Sequence, residues 1–298
     1  MAYFEITGVF PPVITPFHED ESVDYDSFTA NLEKWNRTGL AGYLILGSNS
    51  ETPYLTEEEK LGLVRLAKQH KAQDKLLMVG TGLESTEATV RLTNLAADAG
   101  ADAALVLTPG FYGAAMGDDA QYAFFTEVAD RSKIPVLLYN VPKFTHINLT
   151  PSVVSRLSRH PNIIGMKDSS GDIGRMTALM TEGLDSEFNL LVGTASVWYP
   201  ALALGIRGGV MALCNCAPRE CAEIQTLFDA GKYQEALKLN KKMFPVNAAV
   251  TGAFGVPGLK YACDLVGYKG GCPRKPLLPL TQEKKDRLEQ ILKSSGLV

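Results

Sequence analysis

Short apolar runs alternate along the chain with helix-length segments in which apolar residues recur every three or four positions. "GVFPPVITPF" is followed by "YDSFTANLEKWNR", a predicted helix over 25–37. "GYLILG" precedes "EEEKLGLVRLAKQH", with Thr56 and Glu59 at the spacing of a capping box. "KLLMVGTG" leads through Ser85, a predicted N-cap, into "TEATVRLTNLAADAG", whose closing glycine marks a helix C-terminus. The pattern continues with "AALVLTP" and "AQYAFFTEVADRS", "IPVLLYNVP" and "TPSVVSRLSRH", "NIIGMKDSS" and "DIGRMTALMTEG", and "FNLLVGT" and "VWYPALALG". "GGVMALCN" is the last apolar run.

Eight strands are predicted, seven of them followed by a helix before the next. Apolar strands alternating with helices imply parallel pairing with both faces covered. Eight such units fit an α/β architecture closed as a (β/α)8 TIM barrel. No G-x-G-x-x-G follows the first run, which removes the main dinucleotide-binding signal. The remaining segments, "YQEALKLNKKMFPVNAAVTGAFG", "GLKYACDLVG" and "TQEKKDRLEQILKSSG", read as helices. The expected organisation is a barrel catalytic domain over 1–225 and a helical C-terminal extension over 226–298, packed on the barrel.

The 298 residues are 46% hydrophobic and 21% charged, an ordinary globular balance. A net charge of −4 without a basic run gives nucleic-acid binding no support. No apolar stretch is long enough to span a membrane. The opening "MAYFEITGVFPPVITPF" resembles neither a signal nor a transit peptide, so the expected compartment is the cytoplasm. Five cysteines form a poor disulfide framework, and "CNC" with Cys221 lacks the paired spacing of a zinc site. Reduced, partly buried thiols and no metal are expected.

In a barrel of this kind, the chemistry sits at the C-terminal ends of the strands. The second run ends in "GSNSE", the fourth in "TPGFY", the fifth in "YNVP", the sixth in "KDS" and the seventh in "GT". Lys167 closes an apolar run, where holding charge is costly. Two readings compete: a lysine snorkelling from a strand end, or a desolvated amine kept as a nucleophile. Tyr139 and "GSNS" likewise read as a core aromatic and a polar turn when taken singly. Their arrival on one rim assembles an amine for imine formation, a phenol for proton transfer and a donor set for a carboxylate. This chemistry requires no metal or cofactor.

The combination "LGSNSE", "LLYNVP" and "GMKDSSGD", in this order on alternating units, resembles the dihydrodipicolinate synthase / N-acetylneuraminate lyase superfamily of pyruvate-dependent class I aldolases. The likeness extends from "GVFPPVITPF" through the C-terminal helices. It implies that Lys167 forms an imine with pyruvate or another 2-oxo acid, that Tyr139 relays protons, and that Ser48 and Asn49 hold the pyruvoyl carboxylate. "GMKDSSGD", "NAAVTGAFGVPGLK" and "GYKGGCPRKPL" look most like the 4-hydroxy-2-oxoglutarate aldolase branch and fungal 3-deoxy-hexulosonate aldolases, which adds Ser169 to the site. Tyr112, Gly193, Thr194 and Met211 complete the expected substrate-binding set. The superfamily further implies a homotetramer, built as a dimer of dimers, acting on a small 2-oxo acid.

The chain also departs from that pattern. Synthases of the superfamily carry an arginine two residues after the proline of "YNVP", and Phe144 stands there. A phenyl ring cannot make the arginine's bidentate contact with a carboxylate. The usual inter-subunit tyrosine is Phe111, with Tyr112 beside it, and the glycine usual before the turn's glutamate is Ser50. The expected reaction is therefore cleavage of a 4-hydroxy-2-oxo acid to pyruvate and an aldehyde, either glyoxylate or a sugar aldehyde. Lys143 or Ser169 is a candidate to hold a second carboxylate, and Thr194 or Ser196 to hold sugar hydroxyls. The alternatives are dihydrodipicolinate synthesis, N-acetylneuraminate cleavage, or a catalytically idle homologue that senses oxo acids.

Overall fold

The computed structural model describes residues 5–298. Eight strands are present among them: β1 (Gly8–Phe10), β2 (Gly42–Ile45), β3 (Leu76–Gly80), β4 (Ala103–Leu107), β5 (Val136–Asn140), β6 (Ile163–Asp168), β7 (Asn189–Val192) and β8 (Gly208–Val210). All pair in parallel, in the order β1-β8-β7-β6-β5-β4-β3-β2. Single bonds draw β1 and β2 together: Ala41 N–H donates to Val9 O at 3.0 Å, Leu44 N–H to Pro11 O at 3.0 Å and Val13 N–H to Leu44 O at 2.9 Å. Pro11 and Pro12 lack the N–H a regular ladder needs, which explains the sparse seam. The expected barrel is thus observed.

Around the sheet lie α1 (Tyr25–Trp35), α2 (Glu57–His70), α3 (Thr86–Asp98), α4 (Asp118–Arg131), the single turn α5 (Pro142–Thr145), α6 (Pro151–Ser158), α7 (Ile173–Thr181), α8 (Trp198–Ala203) and α9 (Pro218–Asp229). The capping box of α2 forms as expected: Thr56 Oγ1 accepts from Glu59 N–H at 3.2 Å, and Glu59 accepts from Thr56 N–H at 2.8 Å. Ser85 caps α3, and Gly100 turns the chain out of it at φ 103°.

Side chains alternate along each strand, and both faces are buried. Leu105, Leu137 and Tyr139 belong to the barrel interior with Phe10, Leu44, Met78 and Leu191. Val106, Val136, Leu138 and Met166 face the helices in the larger outer core. This two-sided burial is why the strands read as continuous apolar runs.

Beyond the barrel lie α10 (Tyr233–Asn247), α11 (Gly255–Leu265) and α12 (Gln282–Ser294). The segment expected as one helix over "YQEALKLNKKMFPVNAAVTGAFG" is interrupted by a wider, π-type turn over Ala248–Ala253. Pro245 withholds an N–H near the end of α10. Gly255 then takes φ 56° before the chain re-enters a helix. The seventh unit's helix is also shorter than "VWYPALALG", spanning only Trp198–Ala203. Residue 225, where the barrel was expected to end, lies inside α9. No helix of the described residues is long and apolar enough to cross a membrane.

Candidate active site

The register of the sheet builds the site. β5 and β6 pair Tyr139 with Lys167, so these two side chains stand next to each other on one face. That face is the barrel interior, at the C-terminal ends of the strands. Lys167 is only 3% exposed, and its Nζ lies 4.3 Å from the centre of the Tyr139 ring. Of the two readings of this lysine, the snorkelling one requires a solvated head, and the amine here is buried against a phenol.

Ser48 approaches from a 3-10 turn that follows β2, with its Oγ 3.3 Å from the Tyr139 hydroxyl. Ser169, just past β6, is a polar neighbour of the same phenol, and its N–H is anchored on Asn140 O at 2.9 Å. Burial pushes the Tyr139 phenol up, but the Lys167 charge and the polar contacts of Ser48, Ser169 and Lys167 outweigh it. The phenol is therefore held below the ordinary tyrosine value. Gly193 faces this cluster, and a Cβ there would sit 1.8 Å from Ser169 Oγ and 2.8 Å from its Cα. The glycine leaves the room that Ser169 occupies.

On the other face of the same strands, Asp168 is buried among donors. It accepts from Asn140 Nδ2 at 2.9 Å, Arg175 Nε at 2.8 Å and Ser170 N–H at 2.8 Å, and from the Ser170 hydroxyl. This network ties β5 to β6 at the level of Tyr139 and Lys167 and fixes their relative height.

A cavity of about 500 Å³ opens over the site, lined at its polar end by Ser48 and Tyr139. Its walls are mainly apolar, with Leu83, Leu107, Phe144, Val256 and Leu277, and they include Glu51, Lys60 and Glu84. Lys60 is the only cationic side chain among the lining residues.

The structure thus gathers Lys167, Tyr139, Ser48, Ser169 and Gly193. The other expected residues make different contacts. Asn49 is half-buried in the Ser48 turn and does not line the cavity. Thr194 turns its hydroxyl to Ser196 N–H and Oγ, capping the turn after β7. Met211 is fully buried in the core between sheet and helices. Tyr112 is 73% exposed and packs edge-on against Phe111. Lys143 is exposed, with its amine 5.7 Å from the Phe144 ring centre. The left-handed residue of the Ser48 turn is Glu51, at φ 58°, so Ser50 carries no such strain. Cys214, Cys216, Cys221 and Cys263 are buried free thiols, while Cys272 is exposed, contrary to expectation. The described residues hold no group of three His, Cys, Asp or Glu side chains able to bind a metal.

Glu84 was missed by the sequence reading. It accepts from the N–H groups of Gly110 at 3.1 Å and Phe111 at 2.9 Å, and so fixes the loop after β4. The end of the third apolar run, "GTGLES", was the available signal.

The family model that matches this sequence is that of the dihydrodipicolinate synthetase family, over residues 5–295. The chain belongs to that family. It is 35% identical over 285 residues to the 4-hydroxy-tetrahydrodipicolinate synthase of Methanothrix thermoacetophila, covering 96% of this chain and 95% of the relative. The synthase of Methanoculleus marisnigri is 34% identical over 291 residues, covering 97% and 99%. Among solved structures, the pyruvate complex of the chloride-inhibited Acinetobacter baumannii dihydrodipicolinate synthase superposes with a TM-score of 0.93 at 28% identity, over 99% of this chain and all (100%) of that one.

As a family member, the chain is a carbon–carbon lyase of the pyruvate-dependent Schiff-base class, chemistry that needs no cofactor. The particular closeness expected to the 4-hydroxy-2-oxoglutarate aldolase branch is not what these relatives show. Their names are those of synthases.

Proposed function

We propose that Lys167 is the imine-forming lysine, that Tyr139 moves the protons, and that the Ser48 turn receives the pyruvoyl carboxylate. The observation that carries this reading is the register pairing of Tyr139 with Lys167 inside the barrel. Lys167 passes its proton to the Tyr139 phenolate, the resulting amine adds to C2 of a 2-oxo acid, and the carbinolamine loses water to give a protonated imine. That cation is an electron sink: loss of a C3 proton yields an enamine, whose C3 attacks an aldehyde carbon. The new C4 alkoxide takes a proton, and hydrolysis frees the product and the lysine. Run backwards, the same steps cleave C3–C4 of a 4-hydroxy-2-oxo acid.

Tyr139, held below the ordinary phenol value, is suited to take and return these protons. The N–H groups of Ser50 and Glu51 close the turn, which leaves those of Ser48 and Asn49 to meet a carboxylate, together with the Ser48 hydroxyl.

The synthase names of the relatives support the condensing direction, in which pyruvate joins an amino aldehyde whose amine then closes the ring with loss of water to give 4-hydroxy-tetrahydrodipicolinate. Phe144 favours a second reading, the aldolase that cleaves a 4-hydroxy-2-oxo acid. It lines the cavity at the position where the resemblance places the synthases' arginine. Side-by-side assays of 4-hydroxy-tetrahydrodipicolinate formation, of 4-hydroxy-2-oxoglutarate cleavage and of 2-keto-3-deoxy sugar acid cleavage separate the readings by kcat/KM. The homotetramer stays part of this proposal, and the exposed Phe111 and Tyr112 support a buried contact in the assembly.

The first test is reduction with borohydride in the presence of pyruvate, followed by peptide mapping. A reduced pyruvyl adduct on Lys167, absent from Lys167→Ala together with a loss of turnover of about a thousandfold or more, is the expected result. Pyruvate binding to the folded protein without an adduct would instead support the idle homologue.

A further inference from the structure

The C-terminal extension reaches into the turn that carries Ser48. Glu51, one residue past that 3-10 turn, is buried with its side chain 1% exposed, and its Oε1 lies 2.5 Å from Nζ of Lys260, which is equally buried. Lys260 belongs to α11 and donates also to Cys272 O at 2.6 Å, with its amine 4.5 Å from the centre of the Phe17 ring. The second oxygen of Glu51 accepts from Arg274 N–H at 2.8 Å. Both oxygens of the Glu51 carboxylate are thus held from the extension. Arg274 itself clasps Glu59 at 2.8 and 2.7 Å and Tyr54 O at 2.8 Å, so the next turn is bound as well.

Two charges in the core are costly, and well-packed apolar residues commonly serve stability as well or better. A pair kept at this point has a geometric consequence: it holds Glu51 in its left-handed conformation, φ 58°. That residue ends the turn that brings Ser48 to the cavity. Val256 of α11 and Leu277 beyond Arg274 also line that cavity.

We propose that Glu51 and Lys260 are positioning residues, through which the C-terminal extension sets the carboxylate-binding turn of Ser48 and Asn49. This rests on the role proposed above for that turn. Neither residue touches the reacting atoms. They act on how well the 2-oxo acid is held, and so on KM more than on kcat.

The test compares the wild type with Lys260→Met, with the doubly neutral Glu51→Gln/Lys260→Met, and with Lys260→Arg. Lys260→Met leaves an unpaired buried carboxylate, so the double variant, which removes both charges together, is the one that isolates position from charge burial. Expected for the folded double variant are a KM for pyruvate raised about tenfold, kcat within about twofold, and trapping on Lys167 restored at saturating pyruvate. Lys260→Arg, which keeps the charge on Glu51, lies between the two. An unchanged KM in the folded double variant overturns the proposal, as does an equal fall in kcat and kcat/KM. Loss of fold in every variant overturns it too, since the pair would then be a requirement of folding alone. Failure of the wild type to be trapped would instead defeat the assignment of Lys167 and leave the fault there.

Discussion

Ser48, Ser169 and Lys167 surround one phenol, and removing one of these neighbours has a direction. The Tyr139 phenol lies below its ordinary value because these groups favour the phenolate over the cost of burial. A step that needs the phenolate therefore rises with pH and levels off below about 10, the value of a free tyrosine. Ser48→Ala removes one stabilising contact, so the rise moves to higher pH. A pH profile of kcat at saturating substrate checks this, and a profile that stays in place or moves down contradicts it. Gly193 permits a test of space rather than charge. Gly193→Ala puts a methyl on the Ser169 side chain, and an overpacked site of this kind loses about 1–3 kcal/mol. Thermal or urea unfolding with a change smaller than this range would mean that Ser169 moves aside freely, away from Tyr139.

At the scale of the element, the capping box of α2 was legible because its partners are three residues apart and need no tertiary contact. Thr56→Ala removes one of its two hydrogen bonds and is expected to cost about 1 kcal/mol. The measurement is the urea midpoint, read with an unchanged slope. No loss at all would show that Glu59, already clasped by Arg274, holds the helix end without the threonine. The break between α10 and α11 was harder to read. Pro245 and Gly255 were visible, but a wide turn keeps helical spacing through them, so the apolar pattern ran on.

For the whole molecule, the exposed pair Phe111 (78%) and Tyr112 (73%) carries the prediction. Large apolar side chains this exposed, on the rim that bears the site, fit a surface that another subunit covers. Sedimentation velocity is expected to give a tetramer, and Phe111→Ser/Tyr112→Ser a smaller species. A wild-type monomer would refute the tetramer, and a tetramer unaffected by the double change would refute the role of this pair. The positioning role of Glu51 and Lys260 belongs to this scale too, since it joins residues over 200 positions apart in sequence.

Local and periodic information was enough for the barrel, the order of its units and the rim on which Lys167, Tyr139 and Ser48 meet. Alternation and strand ends are properties of the sequence itself. The register that sets Tyr139 beside Lys167 follows from hydrogen bonding between strands, and only the folded sheet shows it. The same holds for the burial of Met211 in the outer core and the ion pair beneath Glu51. Each depends on what packs against a residue from a distant part of the chain, and neighbours in sequence carry no record of it.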